Sequence, residues 1–220
     1  RIVFVVNNDE TLEELGSFKI IQKKKGYRFS ADSVLLAGFA LPLRQSDTVI
    51  DLGTGSGVVP LILAQKTPVR NIIGIEIQEG LTDIARRNIE LNNLSARIKI
   101  VRGDFMELDQ LSCLGIKEGS FSVVMSNPPY TAAGSGRVSP FSEKAVAKTE
   151  IACTLSDVII SAKYLAAKNG RVILIYPVLR LQEMFSVIND NKLVISRLEN
   201  VCPEQGCAVK RFLIEVVKRQ

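Results

Sequence analysis

Four consecutive residues, Asn127, Pro128, Pro129 and Tyr130, follow an apolar segment and suggest a specific chemistry. The side-chain oxygen of Asn127 can accept one N–H of a bound amino group, and the main-chain carbonyl of Pro128 can accept the other. The prolines have no amide hydrogen and restrict the backbone, which fixes the direction of that carbonyl. Tyr130 adds a ring that can stack on a planar substrate. These four residues therefore predict a catalytic site that localises the lone pair of an amino nitrogen.

A glycine-rich loop, DLGTGSG, joins a predicted strand to a predicted helix. Glycines allow positive φ and a close approach of the backbone to a ligand, and the free amides of a helix N-terminus favour an anionic group. A dinucleotide fingerprint would need glycine at Val58, and a P-loop would need Lys followed by Ser or Thr. The spacing instead resembles the first motif of class I S-adenosylmethionine (AdoMet) methyltransferases. This resemblance implies that the loop residues Asp51, Gly53, Gly55 and Gly57 bind AdoMet.

Two more acidic residues follow the next two predicted strands, which agrees with this resemblance. Glu76 ends the second strand beside Ile77, where its carboxylate could accept both ribose hydroxyls of the cofactor. Asp104 ends the third strand and could accept from the adenine amino group, while Phe105 could stack on the adenine ring. Ligands of parallel α/β sheets bind beyond the carboxyl ends of the strands. The sequence therefore predicts a cofactor site across these strand ends, with Asn127 beside the methyl group.

The combination of this loop with Asn-Pro-Pro-Tyr resembles the amino-group methyltransferases. These comprise adenine-N6 and cytosine-N4 enzymes of DNA or RNA, guanine-N2 enzymes of ribosomal RNA, and release-factor glutamine enzymes. An exocyclic purine amine is a poor nucleophile because its lone pair is delocalised into the ring. Two fixed acceptors favour the tetrahedral nitrogen without a strong base, which suits a chain that contains no His. Tyr130 favours adenine, which would leave its stack to enter the site.

The segment GYRFSADSVLLAGFA, residues 26–40, narrows the resemblance. It is similar to the segment before the first motif in bacterial tRNA (adenine-N6) methyltransferases that modify the adenine next to the anticodon of a valine tRNA. In that family an Asp-x-x-Leu-Leu helix lies over the cofactor, which implies a cofactor contact for Asp32. The resemblance extends over nearly the whole chain. It departs where many members carry an Arg-His-Glu-like run and this chain has Lys148, Thr149 and Glu150.

Two related activities remain as alternatives: N5-methylation of glutamine in a protein such as a release factor, and N2-methylation of guanine in ribosomal RNA. A release-factor enzyme has a helical domain before the first motif, whereas residues 1–46 predict strands, a basic loop and one helix. A DNA enzyme usually needs a target-recognition domain, but completion of the sheet uses nearly all residues after Tyr130. A module that only binds AdoMet would not need Asn127 and its paired prolines.

The charge of the chain favours a polyanionic partner, because the formal net charge is +5. Basic residues gather in the segment FKIIQKKKGYRF and again after Asn-Pro-Pro-Tyr, and Lys210, Arg211, Lys218 and Arg219 lie near the end of the sequence. We therefore expect a structured RNA, by the resemblance a tRNA, as the partner. The predicted phosphate-binding residues are Lys23, Lys24, Lys25, Arg28, Arg137, Lys144 and Lys148.

Composition excludes several other classes of protein. The chain is 46% hydrophobic and 23% charged, which is typical of a folded domain and not of a disordered one. No apolar run reaches the roughly 18 residues of a membrane span. No secretory pattern opens the sequence, and its four cysteines form no CxxC pair. We expect a cytoplasmic enzyme without a metal, and the oligomeric state stays open.

The order of apolar segments predicts an α/β fold of the Rossmann-like class I methyltransferase type. It would have a seven-stranded, mostly parallel sheet with an antiparallel last strand and helices on both faces. Residues 1–30 are predicted to form an N-terminal strand and basic extension, and residues 31–220 the AdoMet-dependent methyltransferase domain. Within the extension we expect strands at RIVFVV and FKIIQ with an acidic loop between them. A later helix is expected to end at Gly170.

Overall fold

The computed structural model describes residues 6–26, 28–128, 153–202 and 208–219. Nine strands and six α-helices lie in these ranges. The strands are β1 (Glu10–Leu15), β2 (Phe18–Lys23), β3 (Thr48–Leu52), β4 (Asn71–Glu76), β5 (Ile98–Arg102), β6 (Phe121–Ser126), β7 (Ala166–Pro177), β8 (Val194–Val201) and β9 (Arg211–Val217). The helices are α1 (Ala31–Phe39), α2 (Val58–Lys66), α3 (Glu79–Leu91), α4 (Leu108–Cys113), α5 (Leu155–Leu165) and α6 (Leu181–Asp190).

The central sheet has seven strands in the order β5-β4-β3-β6-β7-β9-β8. The pairs from β5 through β7 are parallel, and β9 is antiparallel to both β7 and β8. The parallel strands are short apolar runs, as expected for strands buried on both faces. The predicted seven-stranded sheet with an antiparallel last strand is therefore confirmed.

Helices cover both faces of this sheet, also as predicted. Successive residues along a strand pack in different hydrophobic clusters, because their side chains point to opposite faces of the sheet. Val49 and Val123 pack in the cluster that contains residues of α1, α2 and α3. Ile50 and Val124 pack in the cluster that contains residues of α4, α5 and α6. No helix in the described part of the chain is both long and apolar enough to cross a membrane.

Strands β1 and β2 form a separate antiparallel hairpin that packs against α3. Asn88 of α3 is fully buried. Its side-chain amide forms the hydrogen bonds to the β2 backbone that a neighbouring strand would otherwise form. Its Oδ1 accepts from the Ile21 N–H at 2.6 Å, and its Nδ2 donates to the Ile21 carbonyl at 3.0 Å and to the Ser56 carbonyl at 2.9 Å. Two hydrogen bonds from Arg87 to Glu10 hold the pKa of that buried carboxyl at about 2. The hairpin is thus bonded to α3, and Asn88 of that helix is also bonded to the glycine loop.

Two local expectations were wrong, and one helix was not predicted. The acidic segment expected to be a loop forms β1, because its backbone pairs with β2 over its whole length. The helix expected to reach Gly170 ends at Leu165, because Ala166 pairs with Phe121 in the sheet. Helix α4, which has 6 residues between β5 and β6, was not predicted from the sequence.

The strand expected at RIVFVV lies almost entirely outside the described residues. The boundary drawn at residue 30 stays a prediction, although Phe18 and Ile20 of the hairpin share a hydrophobic cluster with α2.

Candidate active site

The predicted site residues follow neighbouring strands of the parallel part of the sheet. The order β5-β4-β3-β6 brings Asp104, Glu76, the glycine loop and Asn127 to the same edge. Adjacent strands are about 4.8 Å apart, so this row of strand ends spans roughly 14 Å. One extended ligand can therefore contact all of them. This edge lies at the carboxyl ends of the strands, where ligands of such sheets bind.

The glycine loop adopts a conformation that requires its glycines. Gly53, Gly55 and Gly57 have φ values of 71°, 58° and 81°, which L side chains rarely adopt. A Cβ atom on Gly53 would meet no atom within 4 Å, so space beside the loop is open. A Cβ on Gly57 would lie 3.3 Å from the Ala85 Cβ, so this glycine also lets the loop approach α3. The sequence prediction of a glycine loop opening onto a helix agrees with this geometry.

Glu76 is 5% exposed and braces the loop from the end of β4. Its Oε2 accepts from the Gly55 N–H, and its Oε1 from the Gln78 N–H, each at 2.9 Å. Burial raises the pKa of this carboxyl, and the backbone donors oppose that shift. A carboxylate oxygen has two lone pairs, so each oxygen keeps the capacity to accept a ligand hydroxyl as well. Glu76 thus combines a structural role with the predicted cofactor role.

Asp51 is the most strongly perturbed carboxyl at this edge. It is 2% exposed in the middle of the sheet. Burial raises its pKa from 3.8 to about 7, and the nearby charge of Glu76 contributes in the same direction. The folded protein therefore holds the Asp51 proton more tightly than the unfolded chain does, so ionising Asp51 above pH 3.8 destabilises the fold.

Replacing Asp51 with Asn should change the pH dependence of stability. The contribution of Asp51 is fully present below pH 3.8 and is lost as the pH rises toward about 7. An asparagine side chain does not ionise, so Asp51→Asn should gain at least about 1.4 kcal/mol relative to the wild type between about pH 5 and about pH 8, the equivalent of one pKa unit. Urea unfolding at both pH values measures this gain. Asp109→Asn, which replaces an exposed residue of α4, is the matched control. Parallel profiles of stability against pH for Asp51→Asn and the wild type would refute the prediction.

The other predicted cofactor residues lie beyond β4 and β5. The Asp104 Oδ1 accepts from the Met106 N–H at 2.8 Å, which closes a tight turn after β5. Phe105 is half-buried against the cluster that contains α5, and Ile77 is 48% exposed beside Glu76. Asp32 lies in the first turn of α1, where its Oδ2 accepts from the Arg211 Nε at 3.2 Å. Their cofactor contacts remain predictions.

Asn127 and Pro128 directly follow β6, next to the glycine loop after β3. Pro128 is buried and Asn127 is half-buried. The Asn127 Nδ2 donates to the Ser33 Oγ at 3.5 Å, so the first turn of α1 also borders this position. Pro129 and Tyr130 lie outside the described residues. The catalytic roles of all four residues stay predictions.

The predicted phosphate-binding residues that the structure describes cluster around the hairpin. Lys23 forms ion pairs with Asp9 at 2.7 Å and Glu10 at 3.7 Å, and Arg28 pairs with Glu13. Lys24 donates to the Asn8 carbonyl at 2.8 Å, and Lys25 is exposed. A phosphate would therefore compete with acidic partners at Lys23 and Arg28 but not at Lys24. Arg137, Lys144 and Lys148 lie outside the described ranges.

Four residues of this region were not predicted from the sequence: Ser33, Thr54, Ser56 and Asn88. Asn88 had a detectable signal, because it interrupts the apolar face of α3. Ser33 adjoins Asp32 but carries no pattern that would predict its contact with Asn127.

Two buried hydroxyls indicate that the loop can bind a ligand with polar groups. The Thr54 Oγ1 and the Ser56 Oγ are buried and have no well-formed hydrogen bond within the part of the chain that the structure describes. The Thr54 hydroxyl still lies close enough to Asp51 to oppose the rise of its pKa, so Ser56 is the clearer case. Buried polar atoms usually have a partner, so each one without a partner needs an explanation. Open space beside Gly53, these hydroxyls and the Glu76 carboxylate fit a cofactor that carries an amino acid group and a ribose. Across the described ranges, no group of three or more His, Cys, Asp or Glu residues could hold a metal ion.

Comparison with known proteins identifies the family. The family model of the methyltransferase small domain matches residues 26–150, more than half of the chain. The chain belongs to this methyltransferase family. Its activity class is the one that the glycine loop and Asn-Pro-Pro-Tyr predicted.

Curated proteins that carry a methyltransferase name are similar over most of the chain. The tRNA1(Val) (adenine(37)-N6)-methyltransferase of Porphyromonas gingivalis is 32% identical over 205 residues, which cover 90% of this chain and 77% of that protein. The protein of the same name from Bacteroides thetaiotaomicron is 27% identical over 198 residues, covering 90% and 79%. Among solved structures, a tRNA m1G37 methyltransferase of M. jannaschii has a TM-score of 0.68 at 14% identity, covering 97% of this chain and 58% of that one. The structural similarity is evidence for the fold only.

Proposed function

We propose that this chain transfers the methyl group of AdoMet to the exocyclic N6 of an adenine next to the anticodon of a tRNA. The observation that carries the proposal is the position of Asn127 and Pro128 at the end of β6, adjacent to the glycine loop. The names of the curated relatives support adenine and tRNA as the target. A tRNA substrate implies the cytoplasm as the compartment.

The proposed cofactor site consists of the glycine loop and the acidic strand ends. Gly53, Gly55 and Gly57 let the backbone approach the amino acid end of AdoMet, and Glu76 accepts from the ribose hydroxyls. Asp104 accepts from the adenine amino group, and Phe105 contacts the ring. Bound AdoMet supplies an electrophilic methyl group on a sulfonium. Further candidates for contact are Asp32, Asp51 and Ile77.

The proposed acceptor site consists of Asn127 to Tyr130. The Asn127 Oδ1 and the Pro128 carbonyl each accept one N–H of the target amine, which draws its lone pair out of conjugation with the ring. Tyr130 stacks on the extruded base and holds the nitrogen in line for attack. The nitrogen becomes positively charged as the bond forms, and the two oxygens stabilise that charge. The amine proton can leave afterwards to solvent, so no strong base is required.

The proposal is tested by identifying the methylated product. The protein is incubated with methyl-labelled AdoMet and, separately, with bulk tRNA, ribosomal RNA, matched DNA and a release factor. The expected result is N6-methyladenosine in the digested tRNA and no comparable label elsewhere. Methylglutamine in the release factor, or N2-methylguanosine in ribosomal RNA, would contradict the proposal and support one of the two alternatives.

Charge reversal at Lys24 and Lys25 should weaken RNA binding without altering the choice of base. Phosphate contacts contribute affinity that is independent of sequence and sensitive to salt. Replacing both residues with Glu should reduce the affinity for every RNA alike and lower the slope of log K against log salt by up to about 2. Filter binding over a salt series measures both quantities.

The matched control reverses Lys66 and Lys117, which lie at the C-terminus of α2 and before β6, away from the carboxyl ends of the strands. This control should change RNA binding little. An equal loss of affinity in both double variants would show that net charge, rather than the hairpin surface, governs binding.

A further inference from the structure

Ser33 of α1 contacts the proposed catalytic asparagine. It lies in the first turn of α1 and is 3% exposed. Its Oγ accepts from the Asn127 Nδ2 at 3.5 Å, across 94 residues of sequence. Hydrogen bonds at catalytic groups are often long without substrate and shorten when the reactive complex forms. The length of this contact is therefore compatible with a role in the reaction.

The direction of the Asn127 amide decides whether the residue can act as proposed. A half-turn of the side chain exchanges its oxygen, which only accepts, with its NH2 group, which only donates. The target amine presents N–H groups, so it needs the oxygen. In the structure the Asn127 Nδ2 donates to the Ser33 Oγ, so the nitrogen lies on the α1 side and the oxygen points away from α1. The Ser33 hydroxyl can also donate, so this contact restrains the side chain of Asn127 but does not by itself choose between the two amide orientations.

The N-terminal end of α1 is fixed to the antiparallel part of the sheet. The Ser30 side chain caps the helix by accepting from the Asp32 N–H. The Arg211 Nε, at the start of β9, donates to the Asp32 Oδ2 at 3.2 Å. Ser33 therefore follows a residue that is bonded to the sheet.

The C-terminal end of α1 is fixed to the neighbouring strands β7 and β8. The Arg171 Nη2 donates to the Ala40 carbonyl at 2.9 Å, and Arg197 donates to the Phe39 carbonyl. Both arginines also form ion pairs with Glu215 of β9. Because both ends of α1 are bonded to β7, β8 and β9, the Ser33 hydroxyl is held at a fixed position relative to the strand ends.

We propose that Ser33 is a positioning residue that restrains the Asn127 side chain at the end of β6, where its oxygen can accept from the target amine. This inference rests on the proposed function, because that function gives the restraint a catalytic purpose. Ser33 touches neither of the reacting atoms and acts through Asn127.

The first test is kinetic. Ser33→Ala removes the acceptor and should lower the single-turnover rate of methyl transfer about 3- to 10-fold, the equivalent of one ordinary hydrogen bond. The dissociation constants of AdoMet and tRNA should stay unchanged. Ser33→Thr keeps the hydroxyl and should recover most of the rate. Ser161→Ala is the matched control, since Ser161 is also helical and 3% exposed.

The second test does not depend on activity. The side-chain NH2 signals of Asn127 in ¹⁵N-labelled protein are assigned by their loss in Asn127→Ala. Ser33→Ala should shift these signals, whereas Ser161→Ala should leave them in place. Unchanged signals would overturn the inference, and so would a loss of rate that matches a loss of AdoMet affinity.

The two tests separate this inference from the proposed function. If the wild-type protein does not methylate tRNA adenine, the proposed function fails, and with it the catalytic purpose assigned to Ser33. The NMR measurement would still decide whether Ser33 contacts and restrains the Asn127 side chain. If the wild type is active and Ser33→Ala retains the full rate, only the inference about Ser33 fails.

Discussion

Asn127→Ala is expected to lower the rate of methyl transfer by about 100- to 1,000-fold, the typical cost of removing one preorganised group that stabilises the transition state. Alanine cannot accept the N–H of the target amine, so the lone pair of its nitrogen stays delocalised. Single-turnover experiments with saturating AdoMet measure the chemical step directly. The dissociation constant of AdoMet should change little, because the proposed cofactor contacts come mainly from the glycine loop and the acidic strand ends.

Asn71→Ala is a suitable control, because Asn71 is exposed at the start of β4, at the opposite end of the sheet. It should leave the rate unchanged. An Asn127→Ala protein that transfers methyl groups at the normal rate would exclude the proposed acceptor role. A loss of AdoMet affinity equal to the loss of rate would instead assign Asn127 to the cofactor site alone.

Asn88→Ala is expected to destabilise the protein by about 3 to 5 kcal/mol, because it leaves several buried backbone groups without a hydrogen-bond partner at once. The substitution removes the partners of the Ile21 N–H, the Ile21 carbonyl and the Ser56 carbonyl. Each buried group left without a partner costs about 1 to 3 kcal/mol. Urea unfolding measures the change in the free energy of unfolding.

Asn92→Ala provides a comparison at the C-cap of the same helix. Asn92 also bonds both backbone groups of one β2 residue, Lys19, at 3.0 and 2.7 Å. These groups can bond to water when Asn92 is removed, because the pair is exposed. Asn92→Ala should therefore cost only about 1 kcal/mol. Equal costs for the two substitutions would mean that burial at Asn88 does not determine the effect.

The sequence predicted the parts of the fold that depend on local patterns. Continuous apolar runs indicated the parallel strands, and alternation indicated the β8–β9 pair. It failed where pairing with distant residues overrides local preference. Ala166 has a high helix propensity, yet it begins β7 because Phe121 offers a paired strand. The acidic composition of β1 suggested a loop, but the pairing of that segment with β2 decides its structure.

The residues of the candidate site also divide into those that a local pattern predicts and those that depend on contacts with distant residues. Asp51, Glu76 and the loop glycines belong to short motifs, and each motif fixes its own position at a strand end. Ser33 and Asn88 could not be assigned in this way, since their contacts join segments that lie 94 and 67 residues apart in sequence. Such contacts depend on how α1 and α3 pack, and a single sequence does not encode that packing in a readable pattern.

The bridge made by Asn88 has a practical consequence for truncated versions of this protein. One side chain joins α3, the hairpin and the loop that contains Ser56. A shortened protein that starts at residue 31 would lose the two Asn88 hydrogen bonds to Ile21 and would expose the apolar surface that Phe18 and Ile20 cover. Deleting the hairpin is therefore a poor way to separate the proposed RNA recognition from the proposed catalysis, and single substitutions on its outer surface are the better tool.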